Sequence, residues 1–247
     1  MRKNILITGA SAGLGAEMAR QFTALGRNLA LCARRADRLD RLRGELIAAY
    51  PGLTVAVRRL DVTNHDAVFT VFRELDEELG GLDRVIVNAG IGKGQPVGTG
   101  HFRANLHTAE TNFVAALAQC EAAMELFRER EAGHLVVISS VSALRGLPGT
   151  VTTYAATKAG VSALAEGIRA DTLRTPIRVS AILPGYIRSE MNPEPHAPMI
   201  VSTEKGVRAM VRAIEREVSS ACVPPWPWRL IGVVLRVAPL RLIARFL

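Results

Sequence analysis

Short apolar runs rich in β-branched residues alternate along this chain with longer stretches of helical periodicity, and that alternation narrows the possible folds more than any other feature. The runs expected as strands are Lys3 to Thr8, Asn28 to Ala33, Leu53 to Arg59, Arg84 to Val87, His134 to Ser139 and Arg178 to Leu183. The stretches expected as helices are Gly13 to Leu25, Ala36 to Ala49, Asn64 to Leu79, Phe102 to Arg130, Thr152 to Leu173 and Thr203 to Val218. Parallel strands joined by helices require right-handed crossovers, so six or more such units predict an α/β fold, a doubly wound parallel sheet with helices on both faces. In such sheets ligands bind beyond the carboxyl ends of the strands.

A chain of 247 residues that is 49% hydrophobic can bury one substantial core. One domain is expected over residues 1–225, followed by an apolar, basic extension at 226–247. The stretch from Pro184 to Pro198 is proline-rich and aperiodic, and a loop of that length reads as functional, so 184–200 is assigned to the substrate. The net charge of +8 comes mostly from arginines scattered along helices, with Glu and Asp interleaved as in Arg34 to Glu45. A nucleic-acid surface concentrates its basic side chains with aromatics, which are 5% here, so that class of partner is not expected. Cys32, Cys120 and Cys222 are odd in number, far apart and without ligand spacing, which predicts free thiols in a reducing compartment. His101, His107 and His134 show no ligand spacing either, and no metal is expected. The apolar run within Met1 to Thr8 is too short for a secretory signal, so a cytoplasmic location is expected.

Three groups of residues carry chemistry. Thr8, Gly9, Ala10, Ser11, Ala12, Gly13, Leu14 and Gly15 follow the first strand and open the first helix. The glycines let backbone N–H groups approach a diphosphate at the helix N-terminus, where unpaired donors and the macrodipole favour an anion. The same residues also make a tight strand-to-helix turn with no ligand. The second strand ends in Leu31, Cys32, Ala33, Arg34, Arg35, with no carboxylate at the point where NAD-specific sites hold the ribose hydroxyls. Two guanidinium groups there suit a ribose 2′-phosphate and point to NADP(H), unless Arg34 and Arg35 are only exposed at a helix start. Tyr154 and Lys158 stand four apart on an expected helix and so share a face. A nearby ammonium favours phenolate and moves a phenol from about 10 toward working pH, which yields a general acid or base. Tyr-xxx-Lys on a helix is also a common coincidence, and only its context gives it weight.

Together with Asn88-Ala89-Gly90 after the fourth strand and Ser140 before Tyr154, these residues resemble the classical short-chain dehydrogenase/reductase family over about Lys3 to Ser189. The resemblance implies a Rossmann-like fold, a hydride exchanged between NADP(H) and a carbonyl or alcohol, and a homodimer or homotetramer. It implies that Asp61 and Val62 contact the adenine ring and that Asn88 steadies the sheet beside the cofactor. Asn112 would hold a proton-relay water, Ser140 would orient and polarise the carbonyl, and Tyr154 would transfer the proton. Lys158 would bind the nicotinamide ribose while lowering the Tyr154 pKa. Pro184 and Gly185 match the family's turn, with Ile187 and Ser189 near the nicotinamide carboxamide.

Three departures stand beside these matches. Ser189 replaces a more usual Thr and keeps the hydroxyl. The interval from Ser140 to Tyr154, 154 − 140 = 14, is one longer than the usual spacing, so Val141 to Thr153 is expected to bulge and Ser142 becomes a rival serine. Where the family commonly finishes with a strand and a glycine-rich turn, this chain reads Ala221, Cys222, Val223, Pro224, Pro225, Trp226, Pro227, Trp228. It then runs to Leu247 as Leu, Ile and Val punctuated by Arg229, Arg236, Arg241 and Arg245, with Pro239 dividing two short helices. Neither piece reaches the ~20 apolar residues needed to span a bilayer. The tail suits peripheral membrane contact, a cover for the pocket, or packing on a second subunit. Apolar surface near the Pro184 to Met199 loop favours a lipid- or steroid-like substrate. The remaining function classes are a catalytically silent NADP-binding sensor or scaffold and a peripheral membrane protein acting through its tail.

Overall fold

The computed structural model describes residues 2–92, 94–191 and 199–246. Its strands are β1 (Asn4–Thr8), β2 (Asn28–Ala33), β3 (Val55–Arg59), β4 (Arg84–Val87), β5 (Gly133–Ile138), β6 (Ile177–Pro184) and β7 (Ser220–Val223). They form one parallel sheet in the order β3-β2-β1-β4-β5-β6-β7, a Rossmann-like arrangement whose order reverses between β1 and β4. β4 is buried along its whole length and β1 nearly so, because helices cover both faces, which is why these strands read as continuous apolar runs rather than alternating ones.

The helices are α1 (Gly13–Ala24), α2 (Ala36–Ala49), α3 (His65–Glu78), α4 (Phe102–Ala109), α5 (Ala115–Glu129), α6 (Thr152–Asp171), α7 (Thr203–Glu215), α8 (Pro225–Val237) and α9 (Leu240–Phe246). On one face α1, α2 and α7 bury Met18, Phe22, Leu39, Leu42, Met210 and Ile214 against the sheet. On the other, α3, α5 and α6 bury Phe72, Leu75, Phe127 and Val161. Two helix starts are fixed by side chains: Asn64 accepts from the Ala67 N–H at 3.2 Å, and Ser202 from the Lys205 N–H at 3.3 Å.

The structure corrects the sequence reading in four places. The single helix expected over Phe102 to Arg130 is interrupted by a π turn, Glu110–Val114, between α4 and α5. β3 starts at Val55 because Leu53 still belongs to the preceding turn, its N–H bonded to the Tyr50 carbonyl at 3.2 Å. The strand that the tail seemed to lack is present as β7, four residues at the sheet edge paired from Ala181–Ser220 to Pro184–Val223. Pro224 and Pro225, which have no N–H to donate, end it. The expected bulge between Ser140 and Tyr154 is taken up by two 3-10 turns, Val141–Leu144 and Gly149–Val151. Of the loop assigned to the substrate, residues 192–198 lie outside the described residues.

Candidate active site

The carboxyl ends of β1, β4, β5 and β6 converge on one crevice. At the end of β1 the Thr8 hydroxyl accepts from the backbone N–H of Asn88 and of Ala89, both at 3.1 Å, and the Asn88 amide returns a bond to the Thr8 carbonyl at 2.9 Å. These bonds lock the two strands across the point where the sheet order reverses. The glycine turn follows directly. Gly9 and Gly13 sit at φ +65° and +54°, in the left-handed region that a side chain rarely adopts. A methyl at Gly15 would lie 2.4 Å from the Gly9 carbonyl oxygen and 2.8 Å from the Asn88 amide. α1 therefore starts flush against both strand ends, and Ala12 supplies no side-chain cap, so its first-turn N–H groups face the crevice unclaimed by a cap.

Beyond β2, Arg35 donates from Nε to the Ser11 hydroxyl at 3.2 Å, which ties the arginine pair to the glycine turn. Arg35 and Arg38 also hold the Glu190 carboxylate, at 3.2 and 2.6 Å. Ser11, Arg20, Arg38, Arg41 and Glu190 line an open groove of about 350 Å³ between α1 and α2. At the end of β3, burial acts to raise the Asp61 carboxyl, but the Thr63 N–H and hydroxyl, at 3.1 and 2.8 Å, and the Arg34 charge hold it below its ordinary value. Val62 is buried beside it.

The reactive side chains come from α6, the π turn and the end of β5. Asn112, on the π turn and 1% exposed, grips Ile91 from both sides: its Oδ1 accepts from the Ile91 N–H and its Nδ2 donates to the Ile91 carbonyl, each at 2.8 Å. A Cβ on Gly90 would stand 3.1 Å from Asn112 Oδ1 and 3.5 Å from Lys158 Nζ, so this glycine is what lets the two groups approach the segment after β4. The extra residue of the π turn turns Asn112 inward, a recurrent device at functional sites. Lys158 donates to the Ile138 carbonyl at 2.8 Å, and burial lowers its ammonium to about 8. Ser139, whose hydroxyl donates to the Lys158 carbonyl at 2.9 Å and meets the Ser162 hydroxyl at 2.7 Å, fixes that stretch of α6 to β5.

Tyr154 departs from the expected electrostatics. Burial raises its pKa, since a phenolate is poorly solvated there, while the Ser140 hydroxyl beside it pulls the other way. Lys158 Nζ lies 5.9 Å from the ring centroid and is turned toward Ile138, so in this geometry desolvation outweighs the lowering expected from the ammonium. The serine that acts on the phenol is Ser140; Ser142 contributes its backbone N–H, which donates to Ser140 Oγ at 3.1 Å.

At the end of β6, Pro184 and Gly185 turn the chain beneath Trp228 of α8. A Cβ on Gly185 would meet the indole at 2.1 Å, and the indole packs edge-on against Tyr186 with centroids 5.1 Å apart. Ser189 lies against the glycine turn, its Cβ 3.6 Å from where a Gly13 side chain would begin. Ile187 buries its side chain against Gly206 and its backbone pairs with Val201, which anchors the loop. Met191 crosses Gly92, where a Cβ would meet its Cγ at 2.6 Å, and Gly94 approaches the Thr150 carbonyl. Sequence reasoning missed Arg38, Glu190, Ser139 and the inward Trp228. Only Arg38, in the first turn of α2 and four residues beyond Arg34, carried a readable signal, its i+4 spacing. Among the described residues no group of three or more His, Cys, Asp or Glu could hold a metal ion, and no helix is long and apolar enough to cross a membrane.

A glycine turn at the switch point of a parallel sheet, with a partly buried Tyr and a buried Lys, Ser and Asn opposite it, defines a dinucleotide-dependent oxidoreductase of the doubly wound class. The family model for short chain dehydrogenase matches residues 3–199, and the chain belongs to the short-chain dehydrogenase/reductase family. It is 54% identical over 246 residues, 99% of this chain and 97% of the other, to an uncharacterized oxidoreductase of Mycobacterium tuberculosis. Its fold is similar to that of a short-chain dehydrogenase from Sphingobium yanoikuyae solved with NADPH, with a TM-score of 0.82, 27% identity, and 94% and 93% of the two chains covered. It is similar also to a bulky-bulky ketone specific alcohol dehydrogenase from Comamonas testosteroni, with a TM-score of 0.80, 27% identity, and coverage of 94% and 90%.

Proposed function

We propose that this chain is a cytoplasmic NADPH-dependent reductase that converts the carbonyl of a bulky apolar substrate to an alcohol, with Tyr154 as proton donor. The observation that carries the reading is the state of Tyr154: a partly buried phenol whose pKa is raised by desolvation stays protonated at neutral pH and, beside the Ser140 hydroxyl, is a general acid ready to donate. A nicotinamide dinucleotide fits the residues present. Gly15 leaves a cradle that a methyl would fill, the α1 N-terminus offers donors for a diphosphate, and Ser11 and Arg35 stand at its edge.

In this reading Gly9, Ser11, Gly13, Leu14 and Gly15 hold the diphosphate, Arg34 and Arg35 the 2′-phosphate, and Asp61 and Val62 the adenine. Asn88, Ala89 and Gly90 support the ring that Pro184, Gly185, Ile187 and Ser189 approach from the other side. When bound, the nicotinamide supplies the hydride. Ser140 orients the substrate oxygen by hydrogen bonding, Tyr154 gives that oxygen its proton, and Lys158, ionised below pH ~8, steadies the phenolate left behind. Asn112 shapes the path by which the proton is replaced. The NADPH preference is supported by the carboxylate that Arg35 and Arg38 already hold, evidence of an anion-binding corner beside Ser11. The Sphingobium enzyme was solved with NADPH, and the Comamonas enzyme is specific for bulky-bulky ketones. Both agree with the reading, as do the apolar Met191 and Tyr186 at the mouth. Residues 1–225 act as the catalytic domain, 226–247 as its extension, and a homodimer or homotetramer is the working form.

The test is NADPH consumption against ketones and aldehydes graded by size and apolarity, with Tyr154→Phe alongside. Turnover of the large apolar members, reduced about 10²- to 10⁴-fold in the variant, supports the proposal. Turnover confined to small polar carbonyls, or indifferent to the substitution, refutes it.

A further inference from the structure

The side of α8 that points away from the protein is as apolar as the side that is buried. Trp228 and Gly232 face inward, the glycine against Leu144 of the turn that follows Ser140. Leu230, Val233, Val234 and Val237 face outward, each more than half exposed, at intervals of three, four and seven residues that make one continuous stripe. Trp226, 75% exposed, leads into the stripe, and Leu240 and Leu242 of α9 prolong it. Arg229 and Arg236, seven residues apart, run along one border, and Arg241 is exposed on α9. From Val218 to Leu247 there are four arginines and neither Asp nor Glu.

We propose that α8 and α9 form a docking face for an anionic lipid surface. Exposed apolar side chains gathered into a rimmed patch of this kind mark an interface. Charge decides the occupant. A second copy of the chain seated on the same helices would add further arginines and no carboxylate from α8 or α9 to pair them. Anionic headgroups supply the missing charge, the stripe enters the acyl boundary, and Trp226 has the amphipathic ring that settles at headgroup level. α8 also braces the catalytic side of the molecule: Trp228 covers the Gly185 turn, and Arg145 donates to the Ala238 carbonyl at 3.4 Å. A docked face would therefore hold the loops around Tyr154 beside the bilayer, where apolar carbonyl compounds partition.

The full chain is tested by flotation with phosphatidylcholine vesicles, with and without phosphatidylglycerol. Binding is expected on the anionic vesicles only and is released by added salt. The variant Arg229→Gln/Arg236→Gln/Arg241→Gln loses roughly fivefold in partitioning per arginine. Leu230→Asn/Val233→Asn/Val237→Asn abolishes flotation while NADPH fluorescence titration and the melting temperature stay at parental values. The vesicle result stands apart from the turnover assay, so the docking face and the reductase reading fail independently. Three outcomes overturn the proposal: absence of wild-type flotation on either vesicle, equal flotation of the apolar-stripe variant, or a dimer in sedimentation equilibrium that this variant dissolves while vesicles are ignored.

Discussion

Lys158 bears the largest electrostatic penalty at the site. Its ammonium titrates near 8 in the folded chain against 10.5 in the open. Because the folded value is the lower one, the unfolded chain holds the proton more tightly between those limits. Stability therefore rises as pH climbs from 8 to 10.5, and at neutral pH the burial costs roughly 3–4 kcal/mol, the 2.5-unit difference at about 1.4 kcal/mol per unit. Lys158→Met should unfold at higher urea than the parent at pH 7, by roughly 1–2 kcal/mol once the Ile138 carbonyl has lost its donor, and should lose that advantage by pH 10.5. Parental stability that stays flat across this window would contradict the assignment. Glu190 supplies a second residue-scale prediction. It pairs with Arg35 and Arg38, so a 2′-phosphate must displace its carboxylate. Glu190→Gln is expected to tighten NADPH binding about two- to fivefold, the range of exposed ion pairs, and to leave NADH unchanged in a fluorescence titration. Equal effects on the two cofactors would detach this carboxylate from the 2′-phosphate corner.

Elements were legible where local pattern and final environment agreed. β1, the glycine turn and α1 could be read because a run buried on both faces looks apolar throughout and because positive φ at Gly9 and Gly13 demands glycine. The π turn was not legible: nothing in Glu110, Thr111, Asn112, Phe113, Val114 differs from an ordinary helical turn, and the extra residue follows from Asn112 reaching Ile91 across the crevice. β7 escaped for a different reason. Four residues on an edge, only Val223 of them buried, carry no periodicity, and their strand state comes from pairing with β6. Trp228 shows the same dependence on tertiary context. Its ring is 4% exposed over Gly185 although the surrounding sequence suits a surface, and its indole N–H finds no hydrogen-bond partner among the described residues. Trp228→Ala should cost about 3–5 kcal/mol in chemical denaturation and raise KM for the carbonyl substrate as the Gly185 turn loosens. A loss below 1 kcal/mol would mean that α8 is only loosely seated.

Across the whole molecule, charge is divided between two ends of the sheet. The carboxyl end carries the crevice, while the opposite end, which no motif marked, carries a buried ionic network. Arg84, 1% exposed at the start of β4, donates to Nδ1 of His134 at 2.9 Å and pairs with Glu215, which also receives Arg27. His134 meets Ser180 at 2.8 Å, and burial followed by the Arg84 and Arg2 charges drives its pKa down to about 2, so it stays neutral as an acceptor. The sequence offered His134 only as an isolated histidine, because its partners arrive from β4, β6 and the end of α7. Burial acts to raise the Glu215 carboxyl, but Arg84 and Arg27 outweigh it and hold the group below its ordinary value of 4.5. A depressed folded value means that the stabilisation is complete above that ordinary value and is withdrawn as pH falls through the folded one. Glu215→Gln leaves Arg84 buried with only the more distant Glu217 carboxylate, at 3.8 Å, as counter-charge and should cost about 2–3 kcal/mol at pH 7. The cost should shrink as pH falls below the ordinary value of 4.5, because the unfolded parent then takes up a proton that the folded carboxylate resists. Urea unfolding of both proteins at pH 7 and near pH 3 distinguishes this from a packing effect: a difference of the same size at both pH values would mean that shape, not charge, makes Glu215 the keystone of the end of the sheet remote from the crevice.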